Sequence, residues 1–226
     1  MVRLRRRFQL PPSYSIQLAQ PRLVGHRFVS EVTNSVGASV EGKRERLVRS
    51  ATDLLYRHGV DSPTLTEIAH AAGVPPGNVY YYFKTRDELI QAVIDARVDG
   101  MRLLLDSLGR RSSPRARLKA LARVWLDNRD DIAANGCPIG TLCSELNKRD
   151  RSLDARAAMM IAIAADWIAD QFRQLGHRDA SELAMTMLAT VQGAALLANT
   201  LRDPNIMTSQ MRRLERWIDS LAGSDR

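Results

Sequence analysis

Two threonines stand three residues ahead of a glutamate, Thr64 before Glu67 and Thr85 before Glu88. A threonine hydroxyl at a helix N-cap accepts the amide three residues on, and a glutamate there can return the bond. Each pair therefore marks a helix start. Between them lie Gly73, suited to the left-handed backbone that ends a helix, and Pro75-Pro76, tolerated in a first helical turn. The interval has room for two short helices and a tight turn, with a third helix beginning at Arg86.

The flanking text has helical period. Leu47, Val48, Ala51, Leu54 and Leu55 share one face of a helix that begins near Glu41 and stops at Gly59. Ile68, Ala69 and Ala72 are the inward positions of the second helix. The fourth runs from Arg86 to about Leu108 and is broken by Gly109 and by Ser112 to Pro114. Five further helices are expected, over about 115–134, 140–147, 152–175, 181–202 (capped at Ser181 or Asp179) and 205–221. Strand signals are scarce, and the fold class is all-α.

Of the 226 residues 45% are hydrophobic, which is too many for a wholly disordered chain. No run of eighteen apolar residues occurs, so no membrane partner is expected. Cys137 and Cys143 are too few for a disulfide framework, which makes a reducing, cytoplasmic location the expectation. The net charge of +8 is uneven, because residues 1–40 carry six arginines and one glutamate. That segment holds the run Arg3, Arg5, Arg6, Arg7 and the helix breakers Pro11, Pro12 and Pro21. It reads as a disordered tail. The other readings are a basic arm touching phosphates, or a stretch upstream of the true start.

The segment 64–86, TLTEIAHAAGVPPGNVYYYFKTR, is a helix-turn-helix by its layout. Asn78, Tyr81 and Tyr82 share one face of its second helix, while Val79 and Phe83 share another and can pack inward. Asparagine can pair bidentately with adenine in the major groove. Tyrosine and threonine hydroxyls, here including Thr64 and Thr66, suit phosphate oxygens. Lys84 and Arg86 add charge, and Gly77 lets backbone approach DNA closely. The alternative is a half-buried aromatic knot that only holds helices together.

The string Ala72-Gly73-Val74-Pro75-Pro76-Gly77-Asn78-Val79-Tyr80-Tyr81-Tyr82-Phe83-Lys84, followed by Leu89, resembles the signature of TetR-type transcriptional regulators. Gly59, Thr64, Ile68 and Ala69 fit the same pattern. The resemblance is specific over about residues 43–95. It implies a dimeric repressor with a three-helix DNA-binding head, here 41–87, and a larger helical domain for ligand binding and dimerisation, here 88–226. It places Thr66, Gly77, Asn78 and Tyr81 near bases, and Thr64, Tyr80, Tyr82, Lys84 and Arg86 near phosphates. Pro75 stands where serine is frequent in the family, and Tyr82 where histidine is.

Cys137-Pro138-Ile139-Gly140-Thr141-Leu142, with Glu145-Leu146, resembles a segment of the LmrA/YxaF-like branch of that family. This implies a small, rather apolar effector. Candidate pocket residues are Trp125, Leu142, Cys143, Met160, Ile163, Trp167 and Gln192, with core packing as the alternative for each. Gln192 and Asn199 can orient a ligand or bond across subunits. Ala184, Met187, Val191, Ala194, Ala195 and Ala198, with Leu214, Trp217, Ile218 and Leu221, give the last two helices a surface for a homodimer or for intrachain packing.

Catalytic patterns are missing. His26, His58, His70 and His177 lie in unrelated contexts, and there is no phosphate loop or nucleophile elbow. Cys137 and Cys143 read as small buried hydrophobes rather than a redox pair. Asp127, Asp130, Asp131 and Glu145 read as a solvated face rather than a metal site. No cofactor is expected. The expected partners are a palindromic double-stranded operator, a small-molecule effector and a second copy of the chain. The rival readings are a C-terminal domain that binds a protein, and a helical enzyme.

Overall fold

The computed structural model describes residues 41–148 and 151–221. The basic segment 1–40 lies outside the described residues. Four helices form the N-terminal part: α1 (Lys43–His58), α2 (Leu65–Ala71), α3 (Pro76–Tyr82) and the long α4 (Arg86–Gly109). Six follow: α5 (Pro114–Asp127), α6 (Arg129–Asn135), α7 (Gly140–Leu146), α8 (Arg151–Gln174), α9 (Ala180–Leu201) and α10 (Asn205–Leu221). Among the described residues there is no strand.

The head closes around one apolar side chain or more from each of its helices. Leu47 of α1, Ile68 of α2, Val79 of α3 and Leu89 of α4 are each at most 1% exposed. Full burial of such side chains contributes roughly 1.5–3 kcal/mol each. α1 packs on α2 and α4, and α2 on α3. Further along, α4 packs on α5 and α8. One helix therefore belongs to both the head and the C-terminal bundle.

The expected helix over 115–134 is two helices, so six rather than five follow α4. Asn128 breaks it at φ −98°, ψ 15°, and its side-chain amide donates to the Val124 carbonyl at 2.7 Å. A side chain that bonds the carbonyl four residues back competes with the helical ladder. Ser113 caps α5 by accepting the Ala116 amide at 3.2 Å, with Pro114 in the first turn.

α9 is the central helix of the C-terminal bundle, packed by α6, α8 and α10. By length and composition alone it is apolar enough to cross a membrane. It is apolar as a core element. Ala184, Met187, Val191, Ala194, Ala195 and Ala198 are all at most 3% exposed within the chain. These residues, expected at a subunit interface, are spent on intrachain packing. So are Leu214 and Ile218 of α10, while Trp217 packs its ring on Phe172 at 5.7 Å between centroids. The free apolar face of α9 is the opposite one, with Met185, Leu196, Leu197 and Leu201 more than half exposed.

Candidate nucleic-acid interface

α3 is held between two capped helices, α2 and α4. At Thr64 the reciprocal capping bonds are both present: the Glu67 amide donates to Thr64 Oγ1 at 3.2 Å, and the Thr64 amide to Glu67 Oε2 at 2.7 Å. These bonds from Thr64 hold the Glu67 carboxyl below the usual carboxylate range. Gly73 takes φ +63°, and the Val74 amide reaches back to the Ala69 carbonyl at 2.9 Å. This closes the turn before α3. A side chain at Gly73 would be strained there. The second cap is one-sided. The Glu88 amide donates to Thr85 Oγ1 at 3.1 Å, but the Glu88 carboxylate reaches past Thr85 to the Lys84 amide at 2.7 Å.

Val79 and Phe83 are buried, and the Arg44 guanidinium lies over the Phe83 ring at 5.1 Å. The outer face of α3 carries Gly77, Tyr80 and Tyr81, with Asn78 and Tyr82 half-buried. Tyr80 and Tyr81 are 58% and 75% exposed, too open for a helix-holding aromatic knot. Tyr82 supports Tyr81 edge-to-face at 5.0 Å between ring centroids. A Cβ at Gly77 would meet nothing within 4 Å. Among the described residues, the side chains of Thr66, Asn78, Tyr80, Tyr81 and Tyr82 make no hydrogen bonds to the protein. The face thus holds unused donors and acceptors at close spacing.

Two of the nine expected contact residues have other work. The Thr64 hydroxyl donates to Glu67 Oε2 at 2.8 Å, so its proton is committed to the cap. Arg86, expected at a phosphate, turns inward. Its guanidinium donates to the carbonyls of Pro63 and Val60, the latter at 2.7 Å. Lys84 donates to the Tyr80 carbonyl at 2.9 Å but stays exposed, with further ammonium protons to offer.

Arg86 has a counterpart on the C-terminal side. The Val60 amide donates to Glu145 Oε2 of α7 at 2.5 Å. One residue of the α1–α2 loop is therefore held through both of its main-chain polar groups. A third tie comes from Tyr56 of α1, whose hydroxyl donates to the carbonyls of Gly136 at 2.8 Å and Asp131 at 3.2 Å. Burial raises its pKa well above the ordinary tyrosine value. The same segment is gripped from α9. Asn199 Nδ2 donates to the Ala133 carbonyl at 3.2 Å, and Arg202 donates to the carbonyls of Ala133 and Ala134.

Trp125, Leu142, Cys143 and Met160 are buried, whereas Ile163, Trp167 and Gln192 are half-buried. They are spread over α5, α7, α8 and α9. α7 is pinned to α8 by Cys143 Sγ donating to the Ala157 carbonyl at 3.1 Å, and the segment before it to α9 by Gln192 donating to Cys137 Sγ at 3.4 Å. Both cysteines are free and buried, and burial pushes the Cys143 thiol up to about 11. Leu142 also lines a cavity of about 10 Å³ between α1, α4 and α7. Tyr56, Arg97 and Glu145 line it too, and none was a sequence candidate for it. Arg97 had a signal available, because it stands between Val93 and Met101 on the buried face of α4.

Residues 47–93 match the family described as bacterial regulatory proteins, tetR family. Residues 114–213 match the C-terminal domain of LmrA/YxaF-like transcriptional regulators. An HTH-type transcriptional regulator from the lacX 3′ region of Lactococcus lactis is 26% identical, over 78% of this chain and 93% of its own. The HTH-type transcriptional regulator TtgR of Pseudomonas putida is 27% identical, over 78% and 88%. A solved TetR regulator from Legionella pneumophila superposes with a TM-score of 0.72 at 19% identity, covering 81% of this chain and 98% of that one. The regulatory protein TetR from Rhodobacter sphaeroides gives 0.69 at 25%, covering 77% and 97%. The head and the bundle that it ties to through Val60 are thus each matched in kind: the chain belongs to the TetR family and is a transcriptional regulator with a DNA-binding helix-turn-helix, not an enzyme.

Proposed function

We propose that the protein is a homodimeric repressor whose two heads bind the half-sites of a palindromic operator and which a small, rather apolar effector releases. The observation that carries this reading is the open, unpaired face of α3 together with the bonds that tie the head to the bundle. Asn78 and Tyr81 read base edges from that face, with Thr66 and Gly77 beside them. Tyr80, Tyr82 and Lys84 hold phosphates, while Thr64 and Arg86 keep the helix in place.

The second copy docks on the free face of α9. Met185, Ala189, Gly193 and Leu196 follow one another at helical spacing there, and a side chain at Gly193 would meet nothing within 4 Å. Small residues amid larger apolar ones let two helices approach closely. The half-sites then lie about 34–36 Å apart or at a multiple of that distance. The effector enters among α5, α7, α8 and α9, near Trp125, Cys143, Met160, Ile163, Trp167 and Gln192, and shifts the tie at Val60. Coupling of this kind is typically ~1–3 kcal/mol.

The test is a gel shift on DNA flanking the protein's own gene, at physiological salt with excess unrelated duplex. A discrete complex with a two-fold symmetric footprint is expected. Complete loss to the competitor would sink the reading for that DNA and favour a C-terminal domain that serves a protein partner.

A further inference from the structure

Among the described residues, Arg97 is a buried cation with no ion-pair partner. It is 7% exposed, and its Nε is buried with no hydrogen-bond partner. Among the described residues it makes no ion pair or hydrogen bond, and its guanidinium carbon lies over the Tyr56 ring, 5.7 Å from the centroid. Asp53, a carboxylate whose charge acts on it, is already paired with Arg57 at 3.0 Å. Buried guanidinium groups are ordinarily matched by a carboxylate or a carbonyl, because desolvation without compensation is unfavourable. Arg97 lines the cavity between the head and the bundle, beside Thr52, Tyr56, Thr141, Leu142 and Glu145.

The geometry points to an anion site at this junction, where Arg97 receives the carboxylate of the effector. This inference rests on the effector-released reading above and moves the polar end of the effector from the core of the bundle to the junction. The guanidinium fork offers parallel donors that match a carboxylate. The Thr141 hydroxyl, without a hydrogen-bond partner among the described residues, is a further donor in the same wall.

The tightness of the space supplies the mechanism. The cavity of about 10 Å³ holds roughly one water-sized group, so a carboxylate enters only by displacing a wall. Glu145 is part of that wall and carries like charge. Crowding and repulsion both act to draw its Oε2 from the Val60 amide, 2.5 Å away, which loosens the loop that seats α2 and α3. Proton balance is undisturbed, since the ligand arrives ionised and nothing is transferred.

The experiment is a calorimetric titration of the full chain with sodium butanoate, alongside 1-butanol and sodium chloride at matched ionic strength. Saturable binding of butanoate and none of 1-butanol is expected. The substitution Arg97→Met is expected to raise Kd by about tenfold or more, the loss of charge-assisted bonds, with Arg97→Lys between the two. No saturable binding to the unaltered protein overturns the inference, and that arm does not depend on any variant folding. Equal occupation by chloride also overturns it, since the site would then serve inorganic anions. Operator release is read separately by gel shift. Butanoate that binds without release leaves the site standing and removes the release mechanism. Glu145→Gln should bind butanoate at least as tightly and release less DNA.

Discussion

Val60 and Glu145 lie 85 residues apart in sequence, yet the amide of one donates to the carboxylate of the other at 2.5 Å. The carbonyl of the same Val60 accepts from Arg86 at 2.7 Å. A single loop residue is thus clasped between the start of α4 and the short helix α7. Replacing Glu145 by alanine leaves the Val60 amide without its partner. We expect a loss of about 1–3 kcal/mol in denaturant unfolding, with weaker release of DNA by effector. Unchanged unfolding and unchanged release would show that the clasp does no coupling.

Arg86→Ala separates a positioning role from a phosphate contact. The two carbonyls it serves would be left unpaired, so stability should fall by about 1–3 kcal/mol. The salt dependence of operator binding should keep its slope. Lys84→Ala should instead lower that slope by about one, with stability little changed. A slope that falls with Arg86→Ala would return Arg86 to the phosphates.

Asn78→Ala is expected to cost about 1–3 kcal/mol on the best operator and to relax preference at one base position. Gel shifts on a panel of single-base operator variants measure it. Equal weakening on every variant would remove Asn78 from base reading.

The cap at Thr64 carries a pH signature. The Glu67 carboxyl is held below its ordinary pKa by the Thr64 amide and hydroxyl. A depressed folded pKa contributes stability at pH above the ordinary carboxylate range, and that contribution is lost as pH falls through it. Thr64→Ala should remove about 1 kcal/mol at neutral pH. Thermal unfolding across the acid range should show the gap between the two proteins closing as pH drops. A gap that stays constant would mean that Glu67 is not the partner that matters.

Leu196→Asp places a charge on the free apolar face of α9. Sedimentation is expected to report a dimer for the unaltered protein and the 25.3 kDa chain for the variant. A dimer that survives would put the interface elsewhere.

Local signals proved readable wherever the deciding chemistry is local. The caps at Thr64 and Thr85, the turn at Gly73 and the inward positions Ile68, Ala69, Val79 and Phe83 depend on residues a few places apart, and the structure has them as spacing predicts. The Glu88 carboxylate takes the Lys84 amide rather than that of Thr85. The break at Asn128 was missed because asparagine is tolerated in helices unless its side chain turns back on the ladder. Periodicity also marks both faces of α9 as apolar without saying which one the chain covers itself. The inward turn of Arg86 and the isolation of Arg97 depend on what other helices bring to them, and no spacing records that.

The hold of Asn199 and Arg202 on the carbonyls of Ala133 and Ala134 has a genetic consequence. Asn199 lies on α9 and Arg202 just past its end, and both steady the segment that anchors Tyr56. Alleles at Asn199, Arg202 or Tyr56 should therefore emerge from selections for a regulator deaf to its signal. Their products would still occupy the operator and still take up the inducer, and the fault would lie in the message between them.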